Sequence, residues 1–238
     1  MTTLPTAPET SSVYKPHLAI YSTYCGTLQN LTFCARRYDD YPAYFITNNA
    51  EVLPIAQDHG WIPLLIEGLE PSDDPIISAT QAKVAKALPH RFDVLGEFDF
   101  LFYTDDKYKL SESVLPGLAA SMRANHSPMA MKLHPWLKPN VLYEYTESLF
   151  QKRYMDQRQM MLDYITSQLN AGLKVQTDRH FTTNCILRDM RHPDIAALNE
   201  TWYQHIQACG IECQVSFFFV AQMFKNISIL PDHHTLCV

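Results

Sequence analysis

The sequence predicts an α/β fold in which a mainly parallel central sheet is flanked by helices. Short apolar runs and helical patterns follow one another in the first half of the chain in the order strand, strand, helix, strand, which is typical of parallel sheets with crossover helices. Hydrophobic residues make up 47% and charged residues 18% of the 238 residues, a composition that excludes disordered and coiled-coil proteins. No linker-like segment follows residue 17, so we expect a single domain over residues 17–238.

Several segments have the apolar, β-prone composition of buried strands. In the first half of the chain they are residues 17–26 (HLAIYSTYCG), 43–49 (AYFITNN), 61–68 (WIPLLIEG) and 98–106 (FDFLFYTDD). Pro63 interrupts the third of these segments. In the second half, residues 180–188 (HFTTNCILR) are expected to be extended, and residues 226–230 (NISIL) lead to the terminus.

Two helices are predicted around the strand at residues 98–106. Residues 75–89 begin with a proline that follows an aspartate, which is a common helix start. The apolar face of this helix is predicted at Ile76, Ile77, Ala79, Val84 and Leu88. The next helix is predicted to begin at Ser111 or Ser113 and to reach about Asn125.

The second half of the chain is predicted to be mainly helical. Residues 144–170 have the pattern of one long helix, with Met160 and Met161 in the core. Residues 192–210 have a proline near the start and a glycine at the end, as helices commonly do. Residues 213–224 (CQVSFFFVAQMF) are almost wholly apolar and must be buried, either as a helix or as a strand.

Charge and cysteine content limit the class of protein. The net charge of −6 and a pI of about 5.9 argue against a broad nucleic-acid surface, so no nucleic-acid partner is expected. The six cysteines form no Cys-x-x-Cys pair and are predicted to be reduced, buried thiols.

The ends of the chain and its hydropathy bear on localisation. Residues 1–16 are rich in Thr, Pro and Ser and are predicted to be a flexible leader without the layout of a signal peptide. No apolar run approaches 18 residues, so no transmembrane segment is expected. Together with the reduced thiols, this predicts a cytoplasmic protein.

Two adjacent acids end the strand at residues 98–106. Carboxylates about 4 Å apart repel by about 4 kcal/mol at an effective dielectric near 20, so Asp105 and Asp106 need water, a cation or a metal ion nearby. Ligands of open α/β sheets bind outside the carboxyl ends of the strands, which is where these acids are predicted to lie. A turn after Asp105 would let both acids bind one Mg²⁺ or Mn²⁺ ion. The alternative is a solvated turn in which Asp106 or Ser111 caps the following helix.

The neighbouring sequence resembles a known family. Residues 83–110 (KVAKALPHRFDVLGEFDFLFYTDDKYKL) resemble a signature of glycosyltransferase-like domains with the GT-A fold, a family that includes plant cell-wall polysaccharide enzymes and similar bacterial and viral domains. The segments 17–26, 43–49, 132–173 and 198–222 resemble further motifs of that family in the same order. The resemblance covers residues 17 to about 234 and implies a GT-A-like (Rossmann-like) domain.

The resemblance implies a nucleotide-sugar-dependent glycosyltransferase. Its donor would be a UDP- or GDP-linked sugar, its acceptor a glycan or another hydroxyl compound, and its cofactor Mn²⁺ or Mg²⁺. The chain departs from the family at two positions. Lys107 stands where the second acid of the metal motif is expected, and Cys213, preceded by Glu212, stands where an aspartate is common.

The reaction needs three groups of residues, which the resemblance assigns as follows. A leaving diphosphate needs cationic charge, for which Lys83, Lys86 and Arg91 are the candidates, and Thr23, Tyr24 and Asn48 stand where nucleotide contacts are expected. An acceptor hydroxyl needs a base, for which the candidates are Glu212, Glu144 and His134. Trp136 is a candidate for stacking on a sugar ring. The predicted metal ligands are Asp105, Asp106, His233 and His234.

Other functions remain as alternatives. The second hypothesis is a catalytically silent GT-A-like domain that acts as a binding or scaffold module. It is supported by Lys107 and Cys213, the two positions at which the chain departs from the family pattern. A sugar-1-phosphate nucleotidyltransferase or a nicotinamide enzyme is disfavoured, because neither a glycine-rich triphosphate loop nor a G-x-G-x-x-G motif follows a predicted strand.

Overall fold

The computed structural model of the chain describes residues 15–31, 38–105 and 109–237, without the side chain of residue 233. These residues form one α/β domain built on a single sheet. Seven strands are described: β1 (Leu18–Tyr24), β2 (Ala43–Thr47), β3 (Ile62–Leu65), β4 (Phe100–Thr104), β5 (Met129–Leu133), β6 (Phe181–Asp189) and β7 (Ser228–Ile229).

The sheet order is β3-β2-β1-β4-β6-β5-β7. Strand β1 pairs in parallel with β2 and β4, β2 pairs in parallel with β3, and β5 pairs in parallel with β7. Strand β6 is antiparallel to both of its neighbours, β4 and β5. Among the strands described, all except β6 therefore point the same way, and the mainly parallel sheet predicted from the sequence is confirmed.

Helices cover both faces of the sheet. The described α-helices are α1 (Val52–Asp58), α2 (Pro75–Ala87), α3 (Asp93–Gly96), α4 (Leu115–Ala124), α5 (Val141–Ser148), α6 (Lys152–Met155), α7 (Arg158–Asn170), α8 (Ile195–Cys209), α9 (Cys213–Met223) and α10 (His233–Leu236). Within the described ranges, no helix combines the length and the apolar character that crossing a bilayer requires.

The core strands are buried on both faces. Strands β2 and β4 are buried along their whole length, because parallel sheets are covered by helices on each side. Ile46 and Leu101 face one apolar cluster, and Phe45 and Phe102 face the other. Pro63 lies in β3 at the edge of the sheet, where a residue without an N–H group is tolerated.

Helix α2 begins and ends on side-chain hydrogen bonds. The Asp74 carboxylate accepts hydrogen bonds from the backbone N–H groups of the first turn, which confirms the predicted helix start. At the other end, the backbone carbonyl of Lys86 accepts hydrogen bonds from the Arg188 guanidinium at 2.8 Å and from the Tyr21 hydroxyl at 3.2 Å. Arg188 is fully buried and also donates to Asn199 Oδ1 at 3.0 Å. This arginine therefore joins α2, α8 and the sheet.

Replacing Arg188 with methionine is expected to lower the free energy of unfolding by at least about 2 kcal/mol. The substitution leaves Oδ1 of Asn199 buried without its donor, at a cost of about 1–3 kcal/mol. It also removes the shorter of the two hydrogen bonds to the carbonyl of Lys86, which keeps the bond from the Tyr21 hydroxyl. Urea unfolding followed by circular dichroism measures the change. Arg158→Met, at an exposed arginine on α7, is the control. Equal stabilities of the two variants would contradict the prediction.

The single helix predicted for residues 144–170 is wrong. The structure breaks this segment into α5, α6 and α7, with an extended residue at Gln151 and an irregular one at Gln157. The side-chain carbonyl of Gln157 accepts a hydrogen bond from the backbone N–H of Ile211 at 2.9 Å. Gly210 has φ +100°, and a Cβ there would lie 2.7 Å from the same Gln157 oxygen. A tertiary contact thus replaces helix continuation at the second break.

Three further expectations need correction. Met160 is exposed, although Met161 beside it is buried as predicted. Of the predicted face of α2, Leu88 is buried and Ile77 is exposed, because the buried residues of this helix lie at its end, at Ala85, Lys86 and Ala87. The other three residues of that face, Ile76, Ala79 and Val84, are half-buried. Strand β5 was not predicted, although the turn residues Asn125, Ser127 and Pro128 precede it, because Lys132 interrupts its apolar run. The apolar segment 213–224 is helical, as α9.

The structure describes five of the six cysteines and only the last two residues of the predicted leader. Of the six cysteines, five lie in the described part of the chain and are free thiols, and Cys25, Cys185, Cys209 and Cys213 among them are buried. Cys34 and residues 1–14 of the predicted leader lie outside the described residues.

Candidate functional site

A cleft of about 780 Å³ opens at the carboxyl edge of the sheet. The loops after β1, β4 and β5 reach it, together with the start of β6, one side of α2 and the first turn of α9. Because parallel strands bring their carboxyl ends to one edge, residues far apart in the sequence meet there. This space, lined by the described residues, is hereafter called the carboxyl-edge cleft.

Lys86 forms the floor of the carboxyl-edge cleft. Its side chain is 5% exposed, and Nζ lies 3.5 Å from Oδ1 of Asp105 and 4.7 Å from the centre of the Tyr103 ring. Burial alone would lower the pKa of Lys86, but the nearby Asp105, Cys213 and Glu212 outweigh burial and raise it. The side chain is therefore a fixed ammonium ion at neutral pH.

Lys83 lies one turn earlier on the same face of α2. Its Nζ is 3.3 Å from Sγ of Cys213, which in turn lies 3.1 Å from Oγ1 of Thr183. Nζ of Lys86 is 3.4 Å from the same threonine oxygen. Two ammonium groups therefore meet around Thr183 and Cys213 within the cleft.

Asp105 lies directly beyond β4, where the sequence predicted it. Its backbone N–H donates to the carbonyl of Asn184 at 3.0 Å, which continues the β4–β6 pairing by one residue. Oδ1 accepts a hydrogen bond from the Tyr103 hydroxyl at 2.7 Å and faces the Lys86 ammonium. Lys86 and Tyr103 therefore compensate the charge of the Asp105 carboxylate at the strand end.

The described residues offer an incomplete ligand set for a metal. Asp105 supplies one carboxylate, and Asp106 lies outside the described residues, as does Lys107. Within residues 15–31, 38–105 and 109–237, no group of three or more His, Cys, Asp or Glu side chains is placed to hold a metal ion. His234 lines a second cavity rather than the carboxyl-edge cleft, and the side chain of His233 is outside the described residues.

Glu144 is the central acid of the acceptor-side candidates. It is buried, its Oε2 lies 2.8 Å from Nε2 of His180, and its Oε1 accepts a hydrogen bond from the Gln214 amide at 2.6 Å. Nε2 of His134 lies 4.0 Å from Oε2 of Glu144. Burial, together with the neighbouring His180, lowers the pKa of His134 even though Glu144 acts to raise it, so His134 is neutral at pH 7.

Glu212 occupies the N-cap of α9. Its Oε1 accepts a hydrogen bond from the backbone N–H of Gln214 at 2.9 Å, so the helix start uses one of its oxygens. Burial and the nearby Glu144 raise the pKa of Glu212, while that backbone hydrogen bond and the two lysines act in the opposite direction. Capping alone explains why an acid stands at this position. It also lines the cleft, so it remains within reach of a ligand.

The nucleotide-side candidates separate into two groups. Thr23 and Tyr24 line the carboxyl-edge cleft at the end of β1. Asn48 is buried and lies outside the lining. Its Oδ1 accepts a hydrogen bond from Gly26 N at 3.0 Å, and its amide donates to Gln81 at 2.9 Å. In the structure, the side chain of Asn48 therefore holds the turn after β1.

Arg91 is also placed away from the cleft. Its guanidinium forms a bidentate pair with Glu200 at 2.8 and 2.6 Å, and His90 contacts the same carboxylate at 3.0 Å. The 3-10 turn that follows α2 directs Arg91 toward α8. Of the three predicted diphosphate cations, only Lys83 and Lys86 thus come together.

Sequence reasoning missed several residues of the site. His180 and Gln214 hold Glu144, Thr183 contacts Lys86, and Tyr103 holds Asp105. For Tyr103 a signal existed, because residues two apart on a strand share one face and Asp105 follows at that spacing. For His180 no sequence signal existed, since it lies 36 positions from Glu144.

No protein-family model matches the chain, and no curated protein sequence matches it. Among solved structures, it is similar to core-mannan synthase A from Aspergillus fumigatus in its Mn/GDP form. The TM-score is 0.51 at 11% sequence identity, and the match covers 97% of this chain and 76% of that one. This likeness shows a GT-A-like glycosyltransferase fold and confirms the predicted fold class.

Two further solved structures are similar at lower TM-scores. Mouse xyloside xylosyltransferase 1, in its apo form, has a TM-score of 0.47 at 10% identity over 90% of this chain and 84% of that one. The mannosyltransferase Ktr4p from S. cerevisiae, in complex with GDP, has a TM-score of 0.46 at 11% identity over 92% of this chain and 72% of that one.

Proposed function

We propose that the chain is a glycosyltransferase that moves a sugar from a UDP- or GDP-linked donor to a glycan or another hydroxyl acceptor. The observation on which the proposal rests most is the group formed by Lys83, Lys86 and Asp105 at the carboxyl edge of a GT-A-like sheet. Open α/β sheets bind their ligands at this edge, and a buried ammonium there faces a cleft large enough for a nucleotide sugar.

The two lysines suit the leaving group of such a reaction. Departure of a nucleoside diphosphate builds negative charge on its outer phosphate, and a preorganised cation lowers the energy of that charge most where water is excluded. Lys86 meets both conditions, because it is 5% exposed and its ammonium is fixed by Asp105 and Thr183. Lys83 adds a second charge one turn away.

The proposal includes a divalent cation, Mn²⁺ or Mg²⁺, for which Asp105 is the candidate ligand. The similar core-mannan synthase A was solved with Mn and GDP, and a carboxylate is a preferred ligand of such ions. When bound, the ion would neutralise diphosphate charge beside Lys86. Asp105 is the one described ligand candidate at this strand end, and its contacts with Lys86 and Tyr103 keep the carboxylate directed along the cleft floor.

On the acceptor side, Glu144 is proposed as the base. Its two oxygens are held by His180 and Gln214, so its orientation is fixed before an acceptor arrives. The neutral His134, 4.0 Å away, is a second group able to accept a hydroxyl proton.

Titration calorimetry with UDP and GDP, with and without Mn²⁺, tests the proposal first. Turnover of UDP- and GDP-linked sugars, followed by the release of free nucleotide, tests it second. We expect one nucleotide to bind in the carboxyl-edge cleft and its sugar to be released or transferred. Absence of binding of either nucleotide, with the protein folded, would contradict the proposed function.

Glu144→Gln is expected to reduce transfer to an acceptor by about 10²- to 10⁴-fold, the usual contribution of a general base, while the Kd of the nucleotide stays unchanged. Glutamine keeps an oxygen and an amide near His180 and Gln214, so the fold is retained. The control is Glu67→Gln, an exposed acid that does not line the cleft. Unchanged transfer in Glu144→Gln would exclude the base role.

A catalytically silent binding domain is the second candidate. It is favoured by one observation, namely that Lys86 and Tyr103 already hold the Asp105 carboxylate. Such a domain would bind UDP or GDP equally well in the wild type and in Asp105→Asn, and it would release no free nucleotide from any sugar donor. The turnover assay therefore separates the two candidates.

A further inference from the structure

A second cavity of about 760 Å³ lies beside the carboxyl-edge cleft. Four residues line both spaces: His134, Trp136, Asn184 and Gln214. The two cavities therefore share one wall, and this second space is hereafter called the side cavity. Three residues singled out from the sequence, His134, Trp136 and His234, line it, but the donor site proposed above does not extend into it.

The lining of the side cavity combines flat apolar surface with amide and hydroxyl groups. Its apolar members are Leu133, Pro135, Trp136, Ile229, Leu230 and Pro231. Thr182, Asn184 and Gln214 add uncharged polar groups. Trp136 is 78% exposed at the rim, with its ring packed edge-on against His134 at 5.1 Å. A large aromatic ring left in solvent beside a mainly apolar cavity is typical of a recognition site.

We infer that the side cavity binds a neutral saccharide, which is the acceptor end of the proposed transfer; the assignment as acceptor rests on the proposed function. A sugar ring has an apolar face of C–H groups, which suits Trp136, and a rim of hydroxyls, which suits the amides of Asn184 and Gln214. The charged members Lys132 and Asp232 are of opposite sign, which favours an uncharged ligand over an acidic one.

Other occupants fit less well. Thr182 donates to the Asn184 amide oxygen at 3.0 Å, and the Gln214 amide bonds Thr183 N–H and Glu144, so the remaining amide N–H groups are those open to a ligand. An acyl chain offers these N–H groups no acceptor, and covering them costs free energy. A peptide strand would pair with the sheet edge at β7, but β7 has only two residues, too few for a ladder of main-chain bonds.

The shared wall places the side cavity next to the proposed base. Gln214 donates to Glu144 at 2.6 Å, and His134 lies 4.0 Å from the same carboxylate. A hydroxyl presented across this wall would arrive beside Glu144, in the cleft that Lys86 and Asp105 also line. Donor and acceptor would then approach the reacting centre from two openings.

Fluorescence of Trp136 provides a direct test. Of the three tryptophans, Trp61 and Trp202 are buried and Trp136 is exposed, so a ligand in the side cavity changes mainly the Trp136 emission. The probes are neutral tetrasaccharides of glucose, mannose, galactose and xylose. We expect at least one of them to change the emission saturably and to lose about tenfold in affinity, measured by calorimetry, in Trp136→Ala.

Two further variants make the test specific. Trp136→Phe keeps a stacking ring and should retain most of the affinity while losing the fluorescence signal. Phe150→Ala removes an aromatic ring that is 85% exposed and lines neither cavity, so it should bind the tetrasaccharide like the wild type. Equal loss in Phe150→Ala and Trp136→Ala would overturn the assignment to the side cavity.

The inference and the proposed function fail differently. If UDP or GDP binds and no tetrasaccharide does, the side cavity is not a saccharide site although the donor site stands. If a tetrasaccharide binds through Trp136 and neither nucleotide does, the saccharide site stands and the transferase proposal fails. A shift of Trp136 emission by phosphatidylcholine vesicles, without any saccharide response, would assign the cavity to lipid and overturn the inference.

Discussion

Lys86→Met is expected to weaken the binding of UDP or GDP by about tenfold to a hundredfold. A hydrogen bond to a charged group contributes about 1.5–3 kcal/mol, and Lys86 is the buried cation of the carboxyl-edge cleft. Methionine has a similar length and no charge, so the packing against Tyr103 is retained. Titration calorimetry with the free nucleotide measures the change without any need for an acceptor.

The matched control for this variant is Lys152→Met. Lys152 is exposed, pairs with Asp156 across one helical turn and does not line the cleft. Its removal should leave nucleotide affinity and melting temperature unchanged. A Kd of Lys86→Met equal to that of the wild type would show that the buried ammonium serves packing rather than ligand binding.

Asp105→Asn is expected to reduce metal-dependent turnover of the sugar donor by about 10²- to 10³-fold, the usual cost of removing one group that stabilises developing charge. The melting temperature is expected to fall, because the buried Lys86 ammonium loses its nearest counter-charge, although an amide oxygen can still accept the hydrogen bond from Tyr103. Turnover is measured as free nucleotide released across a titration of Mn²⁺.

Asp163→Asn provides the comparison for this experiment. Asp163 is an exposed acid on α7 that accepts a hydrogen bond from Gln159 and lies outside the cleft lining. Its turnover and Mn²⁺ dependence should match those of the wild type. If Asp105→Asn also matches the wild type, the proposed metal role of Asp105 is refuted.

The sheet was largely predictable because its strands are short apolar runs. Strands β1, β2 and β4 each fall within a predicted segment, since burial on both faces leaves an unbroken hydrophobic run in the sequence. Helix α2 was predictable from its Asp74 cap and proline start. The position of Asp105 at the carboxyl edge followed from the same reasoning.

What the sequence could not indicate depends on contacts between distant residues. The break before α7 depends on a bond from Ile211 to Gln157, and no local propensity encodes it. Asn48 and Arg91 were predicted to contact ligand from the family resemblance. Their side chains are occupied by Gly26 and Glu200, partners that pattern reasoning cannot see.

The contact between Glu144 and His180 is likewise one between residues distant in the sequence. Glu144 was a candidate on the strength of the family resemblance, but its bond to His180 joins α5 to the segment directly before β6. A buried acid with both oxygens held is visible only once the chain is folded. Local patterns thus predicted the scaffold, and long-range polar contacts decide which side chains face the cleft.

Arg188 ties the stability of the domain interior to the geometry of the ligand floor. Its guanidinium donates a hydrogen bond to the backbone carbonyl of Lys86, whose ammonium lies in the cleft. The same guanidinium also donates to Asn199 of α8. Asn199 lies outside the cleft lining. Substitutions at Asn199 are nevertheless expected to alter nucleotide affinity, because a displaced Arg188 would allow the end of α2, and with it Lys86, to move. Sequence changes in α8 and changes in nucleotide affinity would then be coupled during evolution through Arg188.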